Sequence, residues 1–169
     1  MANYRNGPFE KKIVSFISQH RLENLVNVAT TADMAAILNK SRIFCSCQVE
    51  ENYPSQALLE AMASGNAVVA TDVGETRRLV NGHNGILVPK NSYTKLSQLL
   101  LTLIENKHLR YHLGNAAAQH VRKSHTIYRF ADYMLDFWES ILLILYIAFH
   151  TTIVIFFLIL WKYFFNENN

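Results

Sequence analysis

Only two cysteines occur in the 169 residues, Cys45 and Cys47, two apart in an apolar run. On a strand both point to one face, which is awkward for a disulfide, and two ligands are too few for a structural metal site. They read as buried free thiols of a reducing compartment. Charge of one sign is also scarce: 16 Lys and Arg against 13 Asp and Glu leave a formal net charge of +3. The basic residues are interleaved with acids and form no stripe with aromatics between them, which excludes a nucleic-acid-binding reading. The N-terminal MANYRNGPFEKK has no apolar h-region, so no secretory signal is expected there. No internal repeat, low-complexity segment or Ser-His-Asp order stands out. No metal site is expected, and His83 in its NGHNG turn reads as solvated.

The chain does hold much apolar side chain, 50% of residues, with a large share in the last thirty. The rest is enough for one domain with a core. Ile13, Phe16 and Ile17 share one face of an expected first helix, with Pro8 at its first turn. LVNVAT (25–30) reads as a short strand. Residues 33–40 read as a brief helix with Met34, Ile37 and Leu38 inward. RIFCSCQ (42–48) reads as a strand, and Pro54-Ser55 opens a helix that Gly65 stops.

NAVVATD (66–72) is a continuous apolar run bounded by turn residues, as in a parallel strand buried on both faces. A short helix over 75–80 leads to a turn in which Asn81-Gly82 and Asn84-Gly85 supply positive φ, then to the strand GILVP. Helices are expected over 93–105, 109–123 and from 127 onward. Strands alternating with helices predict an α/β fold, a partial Rossmann-like parallel sheet flanked by helices. Ligands of such sheets bind beyond the carboxyl ends of the strands, where the loop from Glu50 to Ser55 lies.

That loop and its helix offer three kinds of contact. Amides at the helix N-terminus favour an anion such as a diphosphate. Glu60 on the helix can accept from vicinal hydroxyls, and Glu50 or Glu51 can do the same for a second ring. The plainer alternative makes Glu51 a solvated loop acid and Glu60 an exposed helix acid that complements the dipole.

The run EENYPSQALLEAMASGNAVVATDVGETRRLVNGHNGILVP resembles the signature of the GT-B retaining glycosyltransferases of group 1 (GT4-like). LRYHLGNAAAQHVRKSHTIYRFADYMLDFW is similar to that family's closing helices, so the resemblance covers about Gly7 to Trp138. It implies the nucleotide-sugar-binding C-terminal domain of a two-domain enzyme, truncated at its N-terminus. It also implies retention of anomeric configuration, no cofactor beyond the nucleotide-diphosphate sugar used as substrate, and no metal.

In that family two glutamates separated by seven residues bracket the donor, the first on the transferred sugar and the second on the ribose. Glu60 in LLEAMASG matches the second. Eight positions before Glu60 stands Asn52, so Glu51 matches the first if the loop carries one extra residue. Glu51 is the favoured sugar contact. Asn52, Tyr53 and Ser55 would then supply amides or side chains to sugar and phosphates, while Pro54 has no amide to give. Ala29, Thr30 and Thr31 correspond to the family's base-contacting edge.

The resemblance further implies an acceptor-binding N-terminal domain and an arginine and a lysine for the diphosphate, none of which this sequence supplies; Arg5 is not in that motif. Catalytic residues stay unassigned, because the cleft belongs largely to that other domain. Helix amides alone contribute roughly 0.3–1 kcal/mol to an anion, ~2 when partly buried, which is little for a diphosphate.

ILLILYIAFHTTIVIFFLILW (141–161) has no charged residue and at 1.5 Å per residue spans about 31 Å, the thickness of a bilayer core. Trp161 and Tyr163 stand where an interfacial belt would be; His150, Thr151 and Thr152 interrupt its middle. Arg122, Lys123 and Arg129 before the span, against Lys162 alone after it, predict a single-pass protein with its soluble domain on the cytoplasmic face. The expected organisation is a partial donor-binding domain over 1–138, a transmembrane helix with its flanks over 139–165, and a polar tail over 166–169.

The expected function is a glycosyltransferase fragment or split subunit. It would bind a nucleotide sugar for transfer to a glycan or lipid-linked acceptor, with a partner subunit supplying the acceptor domain. The competing expectations are a non-catalytic or degenerate membrane-anchored nucleotide-sugar-binding module and, more remotely, a nucleotide-sugar epimerase or hydrolase.

Overall fold

The structure is a computed structural model that describes residues 9–166, with side chains to residue 162. The expectations placed on Arg5, Pro8, the Tyr163 side chain and the last three residues lie outside what is described. In chain order the elements are α1 (Glu10–Gln19), α2 (Met34–Lys40), β1 (Ile43–Ser46), α3 (Gln56–Ala63), β2 (Ala67–Thr71), a 3-10 helix (Gly74–Arg78), β3 (Ile86–Val88), α4 (Tyr93–Glu105), α5 (Lys107–Ser124) and α6 (Ile127–Asn166).

β1, β2 and β3 form one parallel sheet in that order, with Ile43 opposite Ala67 and Val69 opposite Ile86. Every residue of β2 is buried, as its unbroken apolar run predicts for the central strand. Its side chains alternate between two cores. Val68 and Ala70 pack with Leu58, Ala61 and Met62 of α3 and with Ala117 and Val121 of α5. Ala67 and Val69 pack with Leu103 of α4 and Leu113 of α5. Each fully buried leucine contributes about 1.5–3 kcal/mol relative to exposure.

Gly65 ends α3 at φ +75°, and Gly114 of α5 lies directly against it. A β-carbon on Gly114 would meet the Gly65 carbonyl oxygen at 2.1 Å, so only glycine lets α5 reach this turn. Buried Asn66 ties the same corner together. Its amide donates to the carbonyls of Leu38 (3.0 Å) and Ala61 (3.2 Å), at the ends of α2 and α3.

Several expectations are corrected. LVNVAT forms no strand. Leu25, Val26 and Val28 are exposed, and among the described residues no strand pairs with the outer edge of β1. Instead Leu25 and Val26 donate their amides to the Leu22 carbonyl in a turn, and β-propensity without a ladder partner makes no strand of the rest. On α1 only Ile17 is buried while Ile13 and Phe16 are exposed, and on α2 Leu38 is buried while Met34 and Ile37 are exposed. The 75–80 helix is the tighter 3-10 helix. Asn81, Gly82, Asn84 and Gly85 do not take positive φ. The Asn84 side chain builds that turn, accepting from the Asn81 amide at 2.8 Å and donating to the Leu79 carbonyl at 2.9 Å. Gly85 is needed for space, because a β-carbon there would lie 2.5 Å from Val68 Cγ2.

The cysteines are free, as expected, but exposed rather than buried, since β1 lies at the sheet edge. α6 runs unbroken for 40 residues. It is the one helix, among the described residues, long and apolar enough to cross a membrane, and none of its apolar window is buried against the protein.

Candidate functional site

Helix α3 starts where Ser55 accepts the Leu58 amide, at 3.4 Å, on its hydroxyl oxygen. Ser55 is buried, so its side chain caps the helix, and its expected role toward a ligand falls to the backbone. Just upstream, the Thr71 hydroxyl at the end of β2 donates to the carbonyl of Gln48 and sits 3.4 Å from that of Ser46. The loop that leaves β1 is thereby tied to the neighbouring strand.

Glu51 is not free in this loop. Its Oε1 accepts the backbone amide of Glu75 at 2.9 Å, at the start of the 3-10 helix. Gly74 makes this possible: its φ is +48°, and a β-carbon would stand 2.4 Å from the Glu51 carboxyl carbon. Asn52 and Tyr53 are exposed, with the Arg78 guanidinium 6.0 Å from the Tyr53 ring centre, within cation–π reach. Arg78 is paired with Glu75, and Arg77 with Asp72 at 2.6 Å from Nε. The Arg77 hydrogen bond, aided by its charge, holds the Asp72 carboxyl below the usual carboxylate range.

Glu60 lies on the outer side of α3, accepting from Gln56 Nε2 at 3.2 Å. It lines an open cleft of about 440 Å³ between α3 and the start of α2, shared with Asp33, Met34, Leu38 and Ala63. Asp33 caps α2 by accepting the Ala36 amide at 2.9 Å, and its own amide donates to Thr31 Oγ1 at 2.9 Å. Ala29, Thr30 and Thr31 lie in the irregular segment leading to this cleft; the residues that line it begin at Ala32.

The structure thus places Glu60 and Asp33 on the walls of one cleft, whereas sequence reasoning treated Asp33 only as part of a helix start. It places Glu51 with Gly74 and Glu75 instead. An Asp three residues before the amide it caps was the available signal for Asp33; nothing in the sequence pointed to the Glu51–Glu75 bond, whose partners are 24 residues apart. His108 and His112 stand one turn apart on α5, a spacing passed over in the sequence, and both are exposed. Among the described residues no group of three or more His, Cys, Asp or Glu could hold a metal ion.

Residues 6–106 match the family described as glycosyl transferases group 1, more than half of the chain. The chain belongs to the group 1 glycosyltransferases. It is 30% identical over 121 residues to an uncharacterized glycosyltransferase of Methanocaldococcus jannaschii, covering 70% of this chain and 34% of that protein. Among solved structures it is similar to the C-terminal domain of the group 1 glycosyl transferase LpcC of Francisella tularensis (TM-score 0.63, 25% identity, 74% of this chain and 66% of that one). It also shares the fold of Anabaena HepE, solved in complex with UDP (TM-score 0.74, 21% identity, 79% of this chain and 37% of that one).

The chain therefore spans about a third of the length of the first curated relative it matches. The family stretch holds both glutamates, the whole sheet and α4, and ends before α5 and α6.

Proposed function

We propose that this group 1 glycosyltransferase chain is a donor-binding half. It holds a nucleotide-diphosphate sugar for transfer, with retention, to a glycan or lipid-linked acceptor presented by a partner domain or subunit. The observation that carries this reading is Glu60 on the wall of an open cleft beside the capped start of α2. A carboxylate there accepts from both hydroxyls of a ribose, and the base lies along the segment that ends at Ala32.

The amides of Asn52 and Tyr53 and the first turn of α3 face the diphosphate. Glu51 keeps one oxygen on the Glu75 amide, which orients the carboxylate and leaves Oε2 for a sugar hydroxyl. The UDP bound by the Anabaena relative supports a uridine nucleotide as the first ligand to try.

α6 is read as a membrane anchor, with residues 1–138 as the partial donor domain on the cytoplasmic face and 139–165 as the span with its flanks. The support is a 40-residue helix whose apolar window has no protein packed on it, together with Arg122, Lys123 and Arg129 on its N-terminal side.

A second reading, a non-catalytic binding module, draws on the two arginines nearest the donor loop. Both Arg77 and Arg78 are already paired with acids, so neither offers an unneutralised charge to a diphosphate.

Calorimetric titration of the full chain in detergent micelles with UDP and GDP tests the proposal. Saturable binding is expected, weakened about 10- to 100-fold by Glu60→Gln, the loss of hydrogen bonds to a charged acceptor. A folded chain that binds neither nucleotide would refute the donor site. Binding without transfer in the presence of an acceptor domain favours the module.

A further inference from the structure

Cys45 is the third residue of β1, held in register opposite Val69, whereas Cys47 lies one residue past the strand's end. The ladder therefore constrains one thiol and not the other. Their sulfurs are 3.4 Å apart and both residues are exposed. Two full strand steps would separate the α-carbons by roughly 6.6 Å, the upper end of the bridgeable range. Closing the sulfurs to about 2.05 Å shortens their separation by roughly 1.4 Å, and with Cys45 held in the ladder the adjustment falls on Cys47 and the loop behind it. The next residue, Gln48, has its carbonyl held by the Thr71 hydroxyl, and three residues further Glu51 holds the Glu75 amide.

We infer that Cys45 and Cys47 form a reversible dithiol–disulfide site whose closure withdraws Gln48 from Thr71 and releases Glu51 from Glu75. The oxidant is a small-molecule disulfide such as oxidised glutathione. The Cys47 thiolate attacks one of its sulfurs, expelling one glutathione thiolate and leaving a mixed disulfide. Cys45 then gives its proton to solvent base, attacks Cys47 Sγ and expels the second glutathione. Two protein thiols and one glutathione disulfide become one protein disulfide and two glutathione thiols.

Although Cys45 is exposed as a residue, partial desolvation of its thiol, with the Cys47 hydrogen bond and charge, pushes that thiol up to about 12. The closing step, which needs the Cys45 thiolate, therefore accelerates as pH rises. In a reducing compartment such a bond is transient, as suits a regulatory rather than a structural disulfide. Only its consequence for ligand binding rests on the donor-site reading; the disulfide and the loop release do not.

The test treats the full chain in detergent micelles with excess oxidised glutathione at about pH 8, followed by intact mass and amide exchange. The expected product is lighter by two hydrogen atoms and has no free thiol, and dithiothreitol restores it. Cys45→Ser stops at a stable single glutathione adduct. In the oxidised form the Glu75 amide exchanges at least about ten-fold faster. A chain that stays reduced, carries two glutathiones or links to a second chain overturns the site. A disulfide that leaves Glu75 exchange unchanged overturns the loop release. UDP titration of both forms separates the readings: no binding by the reduced form counts against the donor site alone, and loss of binding only on oxidation joins the two.

Discussion

The carboxylate of Glu51 accepts the backbone amide of Glu75 at 2.9 Å, joining the loop after β1 to the turn after β2. The contact exists because Gly74 leaves room beside it. Both loops leave the carboxyl ends of adjacent parallel strands, the edge at which α/β sheets bind ligands.

Gly74→Ala is expected to break this contact. The new methyl would overlap the Glu51 carboxyl, and φ of +48° is strained for any residue with a β-carbon. A loss of about 1–3 kcal/mol is expected in urea unfolding, together with faster exchange of the Glu75 amide. Unchanged stability and exchange would show that the loops are held by something else.

Ser55→Ala removes the cap of α3 from a buried position. Stability should fall by about 1 kcal/mol, and Ser55→Asp should recover much of it, because a carboxylate also caps and complements the helix dipole. Equal losses in both variants would argue that burial, not capping, explains the serine.

Gly114→Ala tests the tightest glycine contact among the described residues. Its methyl would stand 2.1 Å from the Gly65 carbonyl oxygen, so α5 must move away from the β2–α3 corner. Overpacking of this kind costs about 1–3 kcal/mol, even though alanine is the better helix former. Thermal denaturation that shows stabilisation would contradict the packing described.

Acid sensitivity should appear at the α5–α6 junction. Burial and the nearby His120 lower the His125 pKa below its ordinary 6.5. As pH falls below that ordinary value, the unfolded chain takes up a proton that the folded chain resists, so stability declines until the folded pKa is passed. The decline should be small at this largely solvent-facing group, and His125→Gln should flatten it in denaturant titrations run across that window.

α6 should insert into vesicles, and a charge in its middle should oppose insertion. Leu145→Arg is expected to cost about 2.5–3.5 kcal/mol in a translocon-based insertion assay. Flotation of the wild-type chain away from liposomes, or equal insertion of both chains, would count against the anchor.

The central strand, the glycine stop of α3 and the parallel α/β order were legible because each follows from local pattern. β2 is an unbroken apolar run, and Gly65 sits one residue beyond a capped amphipathic turn. LVNVAT misled for a physical reason. Its β-branched residues favour extension, but a strand also needs a ladder, and among the described residues none pairs with the outer edge of β1. The same edge position exposes Cys45, which its spacing from Cys47 in an apolar run assigned to the interior. The NGHNG turn was located correctly yet explained wrongly, because the Asn84 side chain and the nearness of Val68 to Gly85, rather than positive φ, shape it.

By itself the sequence determined the family, the order of the main elements, the apolar length of α6 and the place of Glu60 on a helix that follows a sheet strand. These depend on composition and spacing, which are properties of neighbouring residues. Tertiary structure alone decided which groups meet: Glu51 with Glu75, Glu60 with Asp33 across a cleft, and two sulfurs at one end of an edge strand. Contacts such as Glu51–Glu75, 24 positions apart, and Asn66–Leu38, 28 apart, are set by how strands register and helices pack, and no local pattern encodes that.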